Sequence, residues 1–187
     1  MSMNVEQLRA WLEEHCNLIF SMMDYEPTLE DEDELADTLN YWFDTPAWRD
    51  TGHRFIHLGI DGTGSQLAAW VRPGHEPDEA TPVVVFGSEG DRTVLAANPL
   101  DWAFMVAHAP AFWEPFDEMD GLREDEEDEY YEDVGDEERP SRHLARYREV
   151  VENTHGEVPS FEELRGRASV FQEAFATWMD GVLDGPT

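Results

Sequence analysis

Between Phe55 and Ala96 the apolar residues abandon helical spacing and fall into four short runs, Phe55–Ile60, Leu67–Val71, Val83–Phe86 and Val94–Ala96. Gly, Pro, Asp and Ser separate them. Short runs of β-branched and aromatic residues between turn formers are strands, and tight connections join antiparallel neighbours. The stretch predicts an antiparallel meander of about four strands.

Helical spacing holds on both sides of that meander. Val5, Leu8, Leu12, Cys16, Ile19 and Met23 recur at intervals of three and four, which predicts one helix with a single buried face and places the lone Cys16 thiol inside it. A second helix is expected after Thr28, with Thr28 as its cap, Asp31 and Glu32 in its first turn, and Leu35, Leu39 and Trp42 on one side. Pro46 should end it. After the meander, Asn98-Pro99-Leu100-Asp101 combines an N-cap residue, a proline where no N–H is needed and an acid three past the cap. Two more helices follow. Ser141 is a candidate cap for one bearing Leu144, Tyr147 and Val151, and Ser160-Phe161-Glu162-Glu163 is a capping box before Leu164, Ala168, Phe171, Phe175, Trp178 and Val182. That aromatic stripe is expected to be core. The fold class is thus α+β: N-terminal helices, the meander, a following helix, and two C-terminal helices.

The turn Gly62-Thr63-Gly64-Ser65 resembles a phosphate loop at first sight. The Lys-bearing loop of nucleotide triphosphatases is excluded because the chain has no Lys, and a dinucleotide fingerprint would open a helix where Leu67 to Val71 reads as strand. Asp61-Gly62 and Gly64-Ser65 are instead turn pairs, the glycines supplying positive φ and the Asp side chain bonding local amides. Gly87-Ser88-Glu89-Gly90-Asp91 repeats the pattern, and no helix follows Ser88 to make a nucleophile elbow. His53 and His57 share a strand face with Phe55, and His75 lies in the next loop. No zinc or calcium motif accompanies them, so no metal, cofactor or catalytic residue is expected.

Charge narrows the partners. The net charge is −31, with 43 carboxylates against 12 arginines. Nucleic acid and anionic lipid are disfavoured, since both bind through Lys and Arg, and a basic protein is the expected partner. With no signal sequence or span of about 20 apolar residues, the chain is expected to be cytoplasmic and not membrane-bound. From Glu114 to Glu138 fifteen of the twenty-five residues are carboxylates, a density that predicts an extended, mobile segment. Half of the arginines follow it and are candidates for pairing with it. The carboxylates Asp31, Asp33, Glu124, Asp125, Glu126, Glu127, Asp128 and Glu129 are the candidate contacts for a basic partner, with Tyr130 and Tyr131 as aromatic anchors. The expected organisation is a core over residues 1–113, the acidic segment 114–138 and a helical extension 139–187 packed on the core.

Two N-terminal helices, the segments HRFIHLGIDGTGSQLAAWV and TPVVVFGSEGDRTVLA, and the helix NPLDWAFMVAHA together resemble the SUKH superfamily of bacterial immunity proteins and fungal cell-wall regulators over roughly residues 4–113. The resemblance implies an α+β domain without enzymatic activity that binds another protein, commonly a secreted toxin. An immunity protein accounts for the acidity, because toxins that cut nucleic acid are basic and an acidic inhibitor is steered toward them. The alternative is an acidic housekeeping scaffold or adaptor whose charge serves solubility.

Overall fold

The structure, a computed structural model, describes residues 2–23, 25–27, 32–88, 90, 92–108 and 140–183. Its centre is a five-stranded antiparallel sheet in the order β1-β2-β3-β4-β5. The strands are β1 (Tyr25–Glu26), β2 (Arg54–Asp61), β3 (Gln66–Val71), β4 (Val83–Phe86) and β5 (Arg92–Ala96). The expected meander is present, extended by the two-residue β1, which pairs Tyr25 with Asp61 and Glu26 with Ile60. So short a strand carries no alternation to read in the sequence. It is held from a distance: the Tyr25 hydroxyl donates to the Leu58 carbonyl at 2.6 Å, and its ring packs edge-on against Trp102.

Both faces of the sheet are covered, which explains why β3 and β4 read as unbroken apolar runs and are buried at every position. One face presents Leu67, Ala69, Val83, Val85 and Leu95 to helices α1 (Val5–Glu14), α2 (Cys16–Met23), α4 (Pro99–Val106) and α5 (Pro140–His155). The other presents Phe55, Ala68, Trp70, Val84, Phe86 and Val94 to α3 (Glu32–Phe43), a 3-10 turn over Ala47–Thr51 and α6 (Phe161–Leu183). Successive residues alternate between the faces, so Val84 and Val85 serve different cores. On the second face the rings of Phe43, Trp48, Phe55, Trp70, Phe86 and Phe175 pack at centroid distances of 5.0–6.0 Å. Burying one such ring contributes on the order of 2–3 kcal/mol. The α6 stripe is core, as expected, with Ala168, Phe175, Met179 and Val182 buried.

Helix ends follow local chemistry where the caps are strong. Asn98 Oδ1 accepts the Asp101 N–H at 2.8 Å, and Ser160 Oγ accepts the Glu163 N–H at 3.2 Å while Glu163 accepts from Ser160. Two expectations are corrected. Ser141 lies inside α5, which begins at Pro140, a residue suited to the first helical position. The expected first helix is broken at His15, whose φ −108° and ψ 13° leave the helical region, and Cys16 is half-buried rather than core. Thr28 and the segment Glu114–Glu138 lie outside the described residues.

Arg167 ties α6 to α4 through the buried Asp101, its guanidinium 2.8 Å from the carboxylate. Burial raises the Asp101 carboxyl above its ordinary range, although Arg167 and Asn98 both favour its charged form. Of the arginines that follow the acidic run, Arg148 pairs with Glu152 on its own helix and Arg167 with Asp101.

Candidate partner-binding surface

Helix α3 exists because Leu35, Ala36, Leu39 and Phe43 repeat at helical spacing and bury against the second face of the sheet. Trp42 fixes its rotation by donating Nε1–H to the Gly87 carbonyl at 2.9 Å. Its last residues are set by Asp44, which takes φ +53° and donates its N–H to the Tyr41 carbonyl at 3.2 Å. Asn40 then holds the 3-10 turn, its Oδ1 accepting Trp48 Nε1–H at 2.9 Å.

The side of α3 turned from the sheet carries Asp33, Glu34, Asp37 and Tyr41, with Asp44 just past its end, all exposed. Among the described residues Tyr41 is the most exposed large apolar side chain, at 91%. Arg49 lies 3.6 Å from Asp37, but Asp37 is 85% exposed, and such pairs contribute about 0–1 kcal/mol. Acids in the first turn of a helix also favour its amino end, by about 0.3–1 kcal/mol each, so Asp33 and Glu34 have a structural use as well. Tyr41 has none: its ring sits in water while Trp42 and Phe43 pack against Phe86.

Of the residues singled out in the sequence, Asp33 falls on this surface. Asp31, Glu124, Asp125, Glu126, Glu127, Asp128, Glu129, Tyr130 and Tyr131 lie outside the described residues. The sequence reading passed over Tyr41, although its spacing of four from Asp37 and eight from Asp33 assigns it to the acidic side, away from Leu35 and Leu39.

The glycine turn closes the β2–β3 hairpin and saturates itself. Asp61 Oδ1 accepts the N–H groups of Thr63 and Ser65 and the Thr63 hydroxyl, at 2.9, 2.8 and 2.7 Å. Those amides point into a protein carboxylate, so they do not cradle a phosphate. Gly64 takes φ +91°, whereas Gly62 is not among the positive-φ residues, which corrects the expectation for that position. Ser88 joins the same cluster, its hydroxyl 3.3 Å from Thr63 Oγ1.

The histidines are built into the packing. His53 is stacked on Trp178, at 4.6 Å, with Trp70 beside both rings, 5.6 Å from His53 and 6.4 Å from Trp178. Its Nδ1 accepts Trp70 Nε1–H at 2.7 Å, which requires the neutral ring with its proton on Nε2. Burial, with the Arg72 charge in support, pushes its pKa down to about 4. His57 is 1% exposed and opposite Ala68 in the β2–β3 ladder. His75 accepts from Arg54 through its carbonyl. Among the described residues no three His, Cys, Asp or Glu side chains converge as metal ligands, and no helix is long and apolar enough to cross a membrane.

A pocket of about 130 Å³ lies over β5, between α4 and α6, lined by Leu95, Met105, Arg165 and Ser169 among others. Beside it Gln172 Oε1 accepts the Val94 N–H at 2.8 Å and the Thr93 hydroxyl at 3.0 Å. The side chain thereby covers the edge of the sheet.

What the fold and this surface define is a three-layer α+β chain with an acidic, tyrosine-bearing helix on its outside. No family model, no curated protein and no solved structure matches the sequence.

Proposed function

We propose that the protein is a non-enzymatic, cytoplasmic protein-binding module, an immunity protein of the SUKH type that neutralises a basic toxin. In this reading residues 1–113 form the SUKH-like core, 139–187 a helical extension on it, and 114–138 an acidic arm. The observation that carries the proposal is the outer side of α3, where the bare ring of Tyr41 shares an exposed face with Asp33, Glu34 and Asp37 and, just past the helix, Asp44. Long-range charge accelerates encounter with a basic surface, and an aromatic side chain that loses its water on contact slows release. Arg and Lys of a nuclease would meet carboxylates in place of phosphates, and a Tyr face also receives a cation. Asp31, Glu124, Asp125, Glu126, Glu127, Asp128, Glu129, Tyr130 and Tyr131 complete the acidic surface in this proposal.

The test is to capture partners from the source cell, take the most basic specific one, and follow association and dissociation against salt. Association should slow by roughly tenfold or more as the screening length falls below about 8 Å, with dissociation little changed. Asp33→Asn with Asp37→Asn and Asp44→Asn should slow association at low salt, and Tyr41→Ala should hasten release. Association indifferent to salt, or a tightest partner that is itself acidic, would remove the immunity reading and leave an acidic scaffold or adaptor.

A further inference from the structure

Trp11 stands at the junction of three helices and is flanked by two imidazoles. Its indole N–H donates to the Tyr147 hydroxyl of α5 at 3.0 Å, and that hydroxyl donates to the Ala103 carbonyl of α4 at 3.1 Å. His15, where α1 ends, packs with its centroid 4.2 Å from the Trp11 ring and its plane inclined by 66°. His155, the last residue of α5, packs at 4.9 Å and 61°. Both ring nitrogens of His155 are buried and have no hydrogen-bond partner.

A neutral imidazole in that position forgoes one donor bond. An imidazolium would forgo two and carry a buried charge besides, a penalty larger than an aromatic face returns. Burial accordingly lowers the pKa of both histidines below the ordinary 6.5. Protonating both would place two positive charges about a single indole, no farther apart than the two centroid distances end to end. The neighbouring charges do not cancel this. Glu14 on α1 favours a charged His15, while the chain's amino group disfavours a charged His155. On α5, Arg148 and Glu152 precede His155 on its side of the helix but are paired with each other at 3.1 Å. Helix α2, which packs along α5, has no ionisable acid or base besides Cys16, and α4 offers the neutral Ala103 carbonyl.

An outward position does suit the charged ring. His155 is at the carboxyl end of α5, where unpaired carbonyls attract a cation, and Gly156 beyond it takes φ +98° with open space about its Cα. We propose that His15 and His155 form an acid-operated latch on Trp11: neutral, they hold α1 against α5; protonated, they swing out and α1 loosens while the sheet stays folded. The sign follows from the neutral rings being those the fold prefers: the seam is at full strength above the ordinary histidine value and weakens as pH falls below it.

Amide exchange in the intact protein, corrected for intrinsic rates, tests this at about pH 7.5 and about pH 5. Protection across Leu8–Glu14 should fall about tenfold at the lower pH, with Leu67–Val71 and Val83–Phe86 unchanged. The variant carrying His15→Phe and His155→Phe, which keeps rings on Trp11 without a titrating group, should hold its protection. An equal loss in that variant, or a sheet that opens in step with α1, would overturn the latch. Should that variant not fold, NMR titration of the two imidazoles in the unaltered protein decides: midpoints depressed and coincident with the loss support the latch, and ordinary midpoints refute it.

Discussion

Gly59 is less tolerant of a side chain than either glycine of the neighbouring turn. A Cβ there would lie 2.5 Å from both the Glu26 carbonyl oxygen and the Tyr25 ring, because β1 crosses against it where the β2–β3 register shifts. Gly59→Ala should destabilise the protein by about 2–3 kcal/mol in urea unfolding, as overpacking does. At Gly64 a Cβ meets nothing within 4 Å and the φ of +91° alone is strained, so Gly64→Ala should lose only about 1 kcal/mol. Equal effects at the two positions would contradict the packing described. The sequence drew attention to the wrong glycine, since turn pairs announce themselves while Gly59 stands inside an apolar run; an isolated glycine in a strand is the sign of a bulge. His53 was legible as a residue of the β region but not as a ring stacked on Trp178, because Trp178 comes from the far end of the chain. Its NMR titration should fall near pH 4. With the folded value depressed, the stability that neutral His53 provides is complete above 6.5 and disappears as pH falls toward 4; a midpoint near 6.5 would mean that the Trp70 bond is not kept.

Elements were predictable where their ends are set by residues three apart. Asn98 and Ser160 cap as expected because a side chain and an amide in one turn need no tertiary help. The break at His15 and the strand β1 were not legible because each is seated against distant residues, Tyr147 in one case and Leu58 and Trp102 in the other. The same holds for the cover of β5, a strand edge whose Val94 N–H is satisfied from α6. Gln172→Leu keeps most of the bulk and removes the acceptor, so it should lower stability by about 1–3 kcal/mol. It should also raise concentration-dependent self-association, measured by sedimentation, since a bared edge pairs with other chains. Unchanged sedimentation would show that α6 protects the edge by bulk alone. On α3 the buried side was readable from Leu35 and Leu39, and the outer side, with Tyr41, follows from the same period once it is read for exposure as well as for core.

At the scale of the whole molecule, the spacing of apolar residues foretold an α+β chain with a meander, but not that helices cover both faces. Antiparallel sheets often leave one face to water, and only the unbroken apolar runs of β3 and β4 hinted otherwise. A net charge of −31 is a self-repulsion that folding must overcome. The melting temperature should therefore rise with sodium chloride from about 0.01 M to about 1 M as the Debye length contracts from about 30 Å to about 3 Å. A falling melting temperature would mean that attractive pairs such as Arg92–Asp180 and Arg167–Asp101 outweigh the repulsion. The second face of the sheet has a further consequence, for synthesis. Phe55, Trp70 and Phe86 are made early, whereas the helix that brings Phe175 and Met179 over them is made late. A ribosome thus presents a half-dressed aromatic surface while it translates the fifteen carboxylates of residues 114–138. Because that run leaves the ribosome ahead of the last helix, its charge adds to the repulsion between nascent chains while the aromatic face still awaits its cover.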